Sequence, residues 1–369
     1  MNITGKYNTA IVMTDNIEKS ARSQIEQLCD QEIFKDSKIR IMPDCHTGKG
    51  CVIGFTANLK NKVIPNLVGV DISCSISTYK LDTTEIDFGK LDNFLKFQLP
   101  HSESVRKSVS NLVSDELREK VIEVGREIQS YPELSHRDLC SIGSLGSGNH
   151  FLEINRDSNG ALWFSIHCGS RNFGHRICTY HQKRAISNDT IPKELWYIED
   201  EQMQMYCKHV KVAQEFATTN HKVILNEVCN EMGWNIVDRI FTNHNYIEFL
   251  DNGEMLIRKG AISAKQGERV IIPMNMRDGS FIGIGKGNPE WNYSAPHGAG
   301  RVMTRTEARA KLNLADFKNA MRNVWSSCVH NRTIDEAPMV YKPMSDTRKY
   351  VSDSVKILDR IIPVYNFKG

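Results

Sequence analysis

Five short segments place residues that could do chemistry beside apolar residues of predicted strands. In each of them glycine lies close to histidine, cysteine, aspartate or asparagine, as it does where backbone approaches a ligand or in a tight turn. One such segment is more often a turn, but five at strand ends reverse that preference. A sixth segment, 242–245, is polar immediately before a strand. The five segments are 42–50, 68–74, 143–150, 166–171 and 296–301.

Residues in these segments could converge on a metal ion. Asp71 and Cys74 lie three positions apart at the end of an apolar run, so a turn there would aim a carboxylate and a thiolate at one point. With His150, His167 and His244, each at a strand boundary, they would form a mixed oxygen, nitrogen and sulfur site. A thiolate can bridge two cations, so the spacing is compatible with a site for one ion or for two. Taken singly, each histidine is more often a hydrogen-bonded structural residue.

Three glycine-containing segments also have the composition of anion-binding loops. Residues 47–50, 169–171 and 297–301 combine flexible backbone with lysine or arginine. Such loops can turn several N–H groups toward a phosphate. None has the spacing G-x-x-x-x-G-K-[ST], which excludes an ordinary P-loop NTPase. A solvated basic turn remains the alternative for each segment.

Composition limits the class of protein. The chain has 369 residues, of which 40% are apolar, and it contains neither a repeat nor a linker, so we predict one domain over residues 1–369. A net charge of +3 confines any nucleic-acid surface to a local patch. Ten cysteines without a C-x-x-C pair fit neither a zinc ribbon nor a thioredoxin motif. Without a membrane-length apolar run or a signal-peptide pattern, we expect a cytoplasmic protein with no membrane partner.

The elements that must position these segments are of mixed type. Helical spacing covers 16–30, 112–130 and 200–232, and a capping box formed by Thr304 and Glu307 opens a further helix. Because the order does not alternate strictly between strand and helix, we predict an α+β fold with mixed or antiparallel sheets and surrounding helices. The predicted strands cover 38–42, 51–57, 68–81, 162–167, 246–250, 254–257, 269–273 and 280–284.

Taken together, the segments resemble those of the RtcB-type RNA-splicing ligases. The resemblance runs from about Met42 to the terminal Phe367-Lys-Gly, and the short chain is similar to the compact bacterial members. So many ordered matches do not arise by accident. The shared motifs are M-P-D-x-H-x-G-K-G, V-I-P-N-x-V-G-V-D-I-x-C, G-S-L-G-x-G-N-H-F-x-E, H-x-G-S-R, N-H-x-Y, H-G-A-G-R-x-M-x-R and D-E-A-P-M-V-Y-K.

The resemblance implies an enzyme that joins an RNA 3′-phosphate or 2′,3′-cyclic phosphate end to a 5′-hydroxyl end with GTP and Mn²⁺. It makes His297 the nucleophile that carries GMP, and Cys74 the bridge between two manganese ions. The implied metal ligands are Asp71, Cys74, His150, His167 and His244. The implied guanylate pocket is Asn149, Glu153, Ser280, His297, Gly298, Tyr341 and Lys368. The implied contacts to RNA phosphates are Lys49, Arg171 and Arg301.

The chain departs from the family pattern at two places. Ser73 and Ser75 flank Cys74 where glycine is usual, which would stiffen the metal loop. Residues 274–277, Met-Asn-Met-Arg, replace a Gly-Ser-Met-Gly run beside the expected nucleotide site, so we expect weaker GTP affinity with unchanged base preference.

Two other functions fit parts of the pattern. A metal-dependent phosphodiesterase that opens cyclic phosphates would need the metal ligands but not His297. A non-catalytic accessory that binds RNA ends would form no covalent GMP. Recognition through the RNA backbone leaves no readable sequence code, so tRNA halves and cleaved ribosomal RNA are both open as substrates.

Overall fold

Two large β-sheets with helices packed on them form the framework of the computed structural model, which describes residues 1–129, 131–187 and 190–369. Its helices, α1 to α10, are Lys19–Cys29, Pro65–Val68, Phe88–Phe97, Asp115–Glu127, Pro132–Ser141, Arg171–Lys183, Asp200–Met232, Arg305–Lys311, Leu314–Ala320 and Met344–Val351. Its strands, β1 to β17, are Asn2–Thr4, Thr9–Val12, Arg40–His46, Ile53–Leu59, Lys62–Val63, Ser75–Leu81, Phe151–Arg156, Leu162–Cys168, Ile198–Glu199, Ile236–Asn243, Asn245–Phe249, Met255–Lys259, Ala261–Ser263, Arg269–Asn275, Gly279–Gly285, Ser294–Pro296 and Val355–Lys368.

The first sheet has six strands in the order β1-β2-β3-β4-β12-β11. Its neighbours are antiparallel except β2 and β3, which are parallel. Ile41, Phe55 and Ile257 from its central strands are fully buried in an apolar cluster shared with α1 and with the first half of α7. This core holds the end of β3, where the first of the glycine-containing segments lies.

The second sheet has seven antiparallel strands in the order β10-β6-β8-β7-β17-β15-β14. Its two edge strands approach each other, because the guanidinium of Arg269 on β14 donates to both carboxylate oxygens of Asp238 on β10, at 2.8 and 2.7 Å. The sheet is therefore curled. Its apolar interior consists of Ile76, Trp163, Ile240, Ile271, Ile282 and Ile361.

Helix α7 connects the two cores. Its first half packs into the first apolar cluster through Val210 and Phe216, and its second half packs against the curled sheet through Ile224 and Val228. The helix ends at Gly233, whose φ of 71° is the left-handed conformation that closes a helix without strain. In the described part of the chain, no helix is both long and apolar enough to cross a membrane.

The structure confirms the predicted α+β class and the three long helices as α1, α4 and α7. The capping box is also confirmed, since Thr304 Oγ1 accepts from the Glu307 N–H at 3.2 Å and the Glu307 carboxylate accepts from the Thr304 N–H at 3.0 Å.

The prediction of one strand over 68–81 is wrong in its first half. Only Ser75–Leu81 is a strand, because Gly69 at φ 95° and Ser73 at φ 60° leave the extended conformation. The loop 69–74 carries Asp71 and Cys74.

Candidate active site

A cavity of about 470 Å³ lies where the glycine-containing segments meet. Its wall combines strand ends from both sheets with the loop that follows β16. The predicted site residues that line it are Asp71, Cys74, Asn149, Glu153, His167, His244, His297, Gly298, Arg301, Tyr341 and Lys368.

The order of strands explains why these residues meet. In an antiparallel sheet the end of one strand lies beside the start of the next. His244 follows β10, Cys74 precedes β6, His167 lies near the end of β8 and His150 precedes β7, and these four strands are neighbours in that order. Lys368, at the end of β17, pairs with Phe151 of β7 in the same row. All these side chains therefore lie in one row, at the same end of five neighbouring strands of the curled sheet.

The loop that carries Asp71 and Cys74 is tied to the segment around His244. The Ser73 N–H donates to the Asn245 carbonyl at 2.6 Å, and the His244 N–H donates to the Cys74 carbonyl at 3.0 Å. Ser73 Oγ accepts from the Asn243 side-chain amide at 2.7 Å. The serine that replaces the usual glycine thus adds an anchor to this loop.

Two sets of donor atoms share the Cys74 sulfur. Cys74 Sγ lies 3.2 Å from His167 Nε2, which lies 3.4 Å from His244 Nε2. On its other side the same sulfur lies 3.4 Å from His150 Nε2, which lies 3.0 Å from Asp71 Oδ2. Within each set the ligand atoms lie within 4.8 Å of one another. This arrangement can hold two cations with a shared thiolate.

The electrostatics of these groups fit bound cations. Burial lowers the pKa of His167 and of His244 well below the usual range, so both rings are neutral and offer lone pairs. Burial, followed by the charge of Asp71, raises the pKa of the Cys74 thiol well above its usual value. Asp71 Oδ1 is buried without a hydrogen-bond partner. A cation would complement that oxygen and deprotonate the thiol.

Two glycines allow the backbone to pack against the ligands. A Cβ at Gly146 would lie 1.8 Å from His150 Nδ1, and a Cβ at Gly169 would lie 2.5 Å from Asp71 Oδ1. Any side chain at either position would displace a ligand. The glycine in the segments 143–150 and 166–171 therefore has a packing role at the site.

His297 is oriented by a buried carboxylate that the sequence did not single out. Asp44, which is 1% exposed, places Oδ2 at 2.6 Å from His297 Nδ1 and at 3.2 Å from the N–H groups of His297 and Gly298. With Nδ1–H donating to Asp44, the lone pair of the ring lies on Nε2. The His297 and His244 rings are 5.0 Å apart, so the nucleophile candidate borders the metal-ligand candidates.

The cavity wall also holds two buried carboxylates whose pKa values shift in opposite directions. Burial raises the pKa of Glu153 to about 7, and its Oε2 accepts from the Asn366 amide at 2.8 Å. Burial would also raise the pKa of Glu336, but Lys368 and then Arg305 outweigh it and lower that pKa to about 2.

Glu336 is the partner of two predicted pocket residues. Its Oε2 accepts from Lys368 Nζ at 2.8 Å and from the Tyr341 hydroxyl at 2.6 Å. Sequence reasoning assigned no role to Glu336 or Asn366. Glu336 lies inside the motif at 335–342, which was the available signal for it.

Four predicted site residues lie outside the cavity wall. One of them, His150, still reaches Cys74 Sγ and Asp71 Oδ2 through its Nε2. Ser280 is buried within β15, and its neighbour Gly279 lines the cavity instead. Lys49 is exposed. Arg171 opens α6, where its Nε donates to Ser144 Oγ at 3.1 Å.

The replaced run at 274–277 forms part of the cavity wall. Met274, Asn275 and Met276 line the cavity, whereas the Arg277 guanidinium pairs with the Asp278 carboxylate at 2.9 Å. Asn275 Oδ1 accepts from the N–H groups of Arg277 and Asp278, which fixes a turn. The departure thus adds apolar bulk to the wall, and the charge of Arg277 is directed to Asp278.

Comparison with known proteins identifies the family of this chain. The family model described as tRNA-splicing ligase RtcB matches residues 24–131 and 114–369. An RNA-splicing ligase RtcB of Escherichia coli K12 is 32% identical over 96% of this chain and 95% of its own length. The tRNA-splicing ligase RtcB of Aeropyrum pernix is 27% identical over 92% of this chain and 89% of its own length. The chain therefore belongs to the RtcB family of RNA-splicing ligases.

Proposed function

We propose that the protein joins an RNA 3′-phosphate or 2′,3′-cyclic phosphate end to a 5′-hydroxyl end, with GTP as the second substrate. The observation that carries the proposal is the pair of donor sets sharing Cys74 beside a histidine whose Nδ1 is held by buried Asp44. Covalent transfer of a nucleotidyl group uses an activated nucleophile of this kind, and neighbouring cations neutralise charge on the phosphate oxygens. Neither a phosphodiesterase nor a binding accessory requires the Asp44–His297 pair.

We assign Asp71, Cys74, His150, His167 and His244 as ligands of two Mn²⁺ ions. The mixture of carboxylate, imidazole and thiolate donors, and the unpartnered Asp71 Oδ1, support bound cations, and the family resemblance supports manganese. When bound, the ions would neutralise negative charge that builds on phosphate oxygens during each displacement.

In the first step His297 Nε2 attacks the α-phosphorus of GTP. A nitrogen–phosphorus bond forms, the bond from that phosphorus to the bridging oxygen breaks, and pyrophosphate leaves with the electron pair. Positive charge then develops on the imidazole. Asp44 stabilises that charge through the hydrogen bond at Nδ1 and keeps Nε2 aimed into the cavity.

In the following steps the GMP group passes to RNA and is released. An oxygen of the RNA 3′-phosphate attacks the phosphorus on His297, and Nε2 recovers its electron pair as the bond breaks. The 5′-hydroxyl oxygen then attacks the RNA phosphorus, GMP leaves, and the hydroxyl proton passes to solvent. A cyclic phosphate end must first be opened by water to give the 3′-phosphate.

We propose that Glu153 and Lys368 recognise guanine. An ionised Glu153 can accept from the guanine N1–H and 2-amino groups, and Lys368 can donate to O6. Adenine has an acceptor at N1, only a C–H at position 2 and an amino group at position 6. Because an unpaired buried polar group costs roughly 1–3 kcal/mol, this difference favours GTP over ATP. We also propose a cytoplasmic location, where ten unpaired cysteines stay reduced.

Labelled GTP and Mn²⁺ test the covalent step directly. We expect the wild type to form an acid-labile protein–GMP adduct, and His297→Ala to form none while still joining RNA that already carries GMP on its 3′-phosphate. His175→Ala, which changes an exposed histidine on α6, is the matched control and should behave as wild type. Cyclic-phosphate opening without any adduct would identify a phosphodiesterase instead. Joining of unactivated RNA at the normal rate by His297→Ala would refute the covalent mechanism.

A further inference from the structure

The segment from 317 to 325 has one buried and one exposed face. It comprises the second half of α9 and the turn that follows, and residues four and then three positions apart share a face. The buried set packs with Met276 of the cavity wall and consists of Phe317, Met321 and Val324. The exposed set, called the Trp325 surface below, consists of Lys318, Arg322 and Trp325.

The cations of the Trp325 surface are available to a ligand. In the described part of the chain, neither Lys318 nor Arg322 forms an ion pair. Cations on the preceding helix behave differently, since Arg309 pairs with Asp335 and Lys311 pairs with Glu307. Two neighbouring unpaired cations attract a polyanion.

Trp325 offers an aromatic face beside these cations. Its indole ring is 40% exposed, and it stacks on the buried ring of Tyr365 with 5.3 Å between centroids and 23° between planes. Hydrogen bonds from Trp325 N–H to Val364 and from Asn366 N–H to Trp325 fix the backbone beside β17. A fixed, half-exposed indole is suited to stack on a nucleic-acid base.

The Trp325 surface lies close to the cavity. Trp325 pairs with Tyr365, and Lys368 of the cavity wall follows three residues later in the same extended strand. At about 3.3 Å per residue, the two positions on β17 are about 10 Å apart. Because side chains alternate along a strand, Lys368 lies on the cavity face of β17, whereas Tyr365, with Trp325 stacked on it, lies on the other face. A nucleic-acid strand that leaves the cavity around residues 325–328, which border the end of β17, can reach Trp325.

We propose that the Trp325 surface binds single-stranded RNA adjacent to the end held in the cavity. Trp325 stacks on a base, and Lys318 and Arg322 contact the backbone phosphates, which is the combination used for single strands without sequence preference. The unpaired cations and the exposed indole together favour single-stranded RNA, which offers phosphates to the cations and base faces to the ring. The proposal rests on the RNA-ligase function proposed above and adds where the substrate strand runs.

Acrylamide quenching of tryptophan fluorescence tests this contact. Trp163, Trp234 and Trp291 are buried and Trp196 is partly buried, so Trp325 is the most accessible of the five tryptophans. The probe is an RNA oligonucleotide with hydroxyl groups at both ends, which binds but cannot be joined. We expect this RNA to protect the quenchable fluorescence in the wild type. Unchanged quenching at saturating RNA would overturn the proposal.

Variants of the surface measure its contribution to RNA affinity. We expect Trp325→Ala to weaken RNA binding roughly five- to a hundredfold, as loss of one base stack does, and Trp325→Tyr to restore most of it. Lys318→Ala with Arg322→Ala should lower the slope of log affinity against log salt by about 1.4. The matched control is Phe249→Ala, which removes an exposed aromatic with Lys211 over its ring on the six-stranded sheet. Equal losses in the control and in Trp325→Ala would overturn the proposal.

The adduct assay separates this proposal from the proposed function. GTP labelling without RNA does not involve the Trp325 surface, so Trp325→Ala should form the His297–GMP adduct as the wild type does. If the adduct forms but the Trp325 and Lys318/Arg322 variants bind RNA like the wild type, the surface is refuted and the ligase function stands. If the wild type forms no adduct but RNA protects Trp325, the surface stands and the ligase function is refuted.

Discussion

Replacement of Asp44 by asparagine isolates the charge that acts on His297. Asp44 Oδ2 accepts three hydrogen bonds, from His297 Nδ1 and from the N–H groups of His297 and Gly298. The two backbone donors should hold the asparagine carbonyl oxygen in that place, so Nδ1 keeps its proton and Nε2 keeps its lone pair. Asp44 Oδ1 has no partner, so an amide nitrogen in its place breaks no hydrogen bond, but its own N–H groups stay unpaired at about 1–3 kcal/mol of stability. The main change is loss of the negative charge.

The expected loss follows from the strength of one hydrogen bond. A hydrogen bond to a charged group contributes about 1.5–3 kcal/mol and a neutral one about 0.5–1.5 kcal/mol. The difference, about 1–1.5 kcal/mol, corresponds to about a tenfold slower guanylylation. Asp44→Ala should be slower still and should also unfold more easily, because two backbone donors lose their acceptor at about 1–3 kcal/mol each.

Single-turnover labelling with GTP measures this rate, and thermal unfolding measures stability. Asp82→Asn is the control, because Asp82 also accepts hydrogen bonds from a backbone and a side-chain N–H but lies exposed, far along the chain from His297. We expect wild-type labelling in this control. In Asp44→Asn we expect a loss of about tenfold in labelling, with a smaller fall in unfolding temperature than in Asp44→Ala. Wild-type labelling by Asp44→Asn would refute the role of the carboxylate.

Two further predictions concern the metal site and the base pocket. Cys74→Ala should lower bound Mn²⁺ and abolish guanylylation, whereas Cys207→Ala on α7 should retain both. Metal analysis and GTP labelling measure these two effects. Full activity of Cys74→Ala would contradict a bridging thiolate. Guanine recognition needs ionised Glu153, and burial raises the pKa of this carboxyl to about 7. The affinity of the protein for guanosine should therefore fall as the pH falls below 7, by a factor that approaches ten for each pH unit. Titration of guanosine, which carries no phosphate, from about pH 5.5 to 8.5 measures this, and a fall that persists in Glu153→Gln would contradict it.

The sequence predicts the fold class and the longest helices because these depend on local spacing. The buried stripe of α7 and the capping box at Thr304 are both set by residues three or four positions apart. The apolar run at 68–81 has the composition of a continuous strand, but its backbone is decided by distant partners. Ser73 donates to Asn245, which is far along the chain, and this contact fixes a loop in which Asp71 and Cys74 lie.

The same distinction separates the site residues found from those missed. Each metal-ligand candidate stands beside glycine or at a strand end, so its own segment marks it. Asp44 lies within a strand and acts on a residue 253 positions away, so only the fold brings it to His297.

Glu336 was missed for a related reason. The residues that follow it, 337–340, are apolar, and its partners Lys368 and Arg305 come from β17 and α8. A motif can indicate that such carboxylates belong to a site, but their roles depend on which donors reach them. For Asp44 the donor is an imidazole, which makes it a positioning residue for a nucleophile. For Glu336 the donors are an ammonium, a guanidinium and a phenol, which makes it the anchor of the pocket wall.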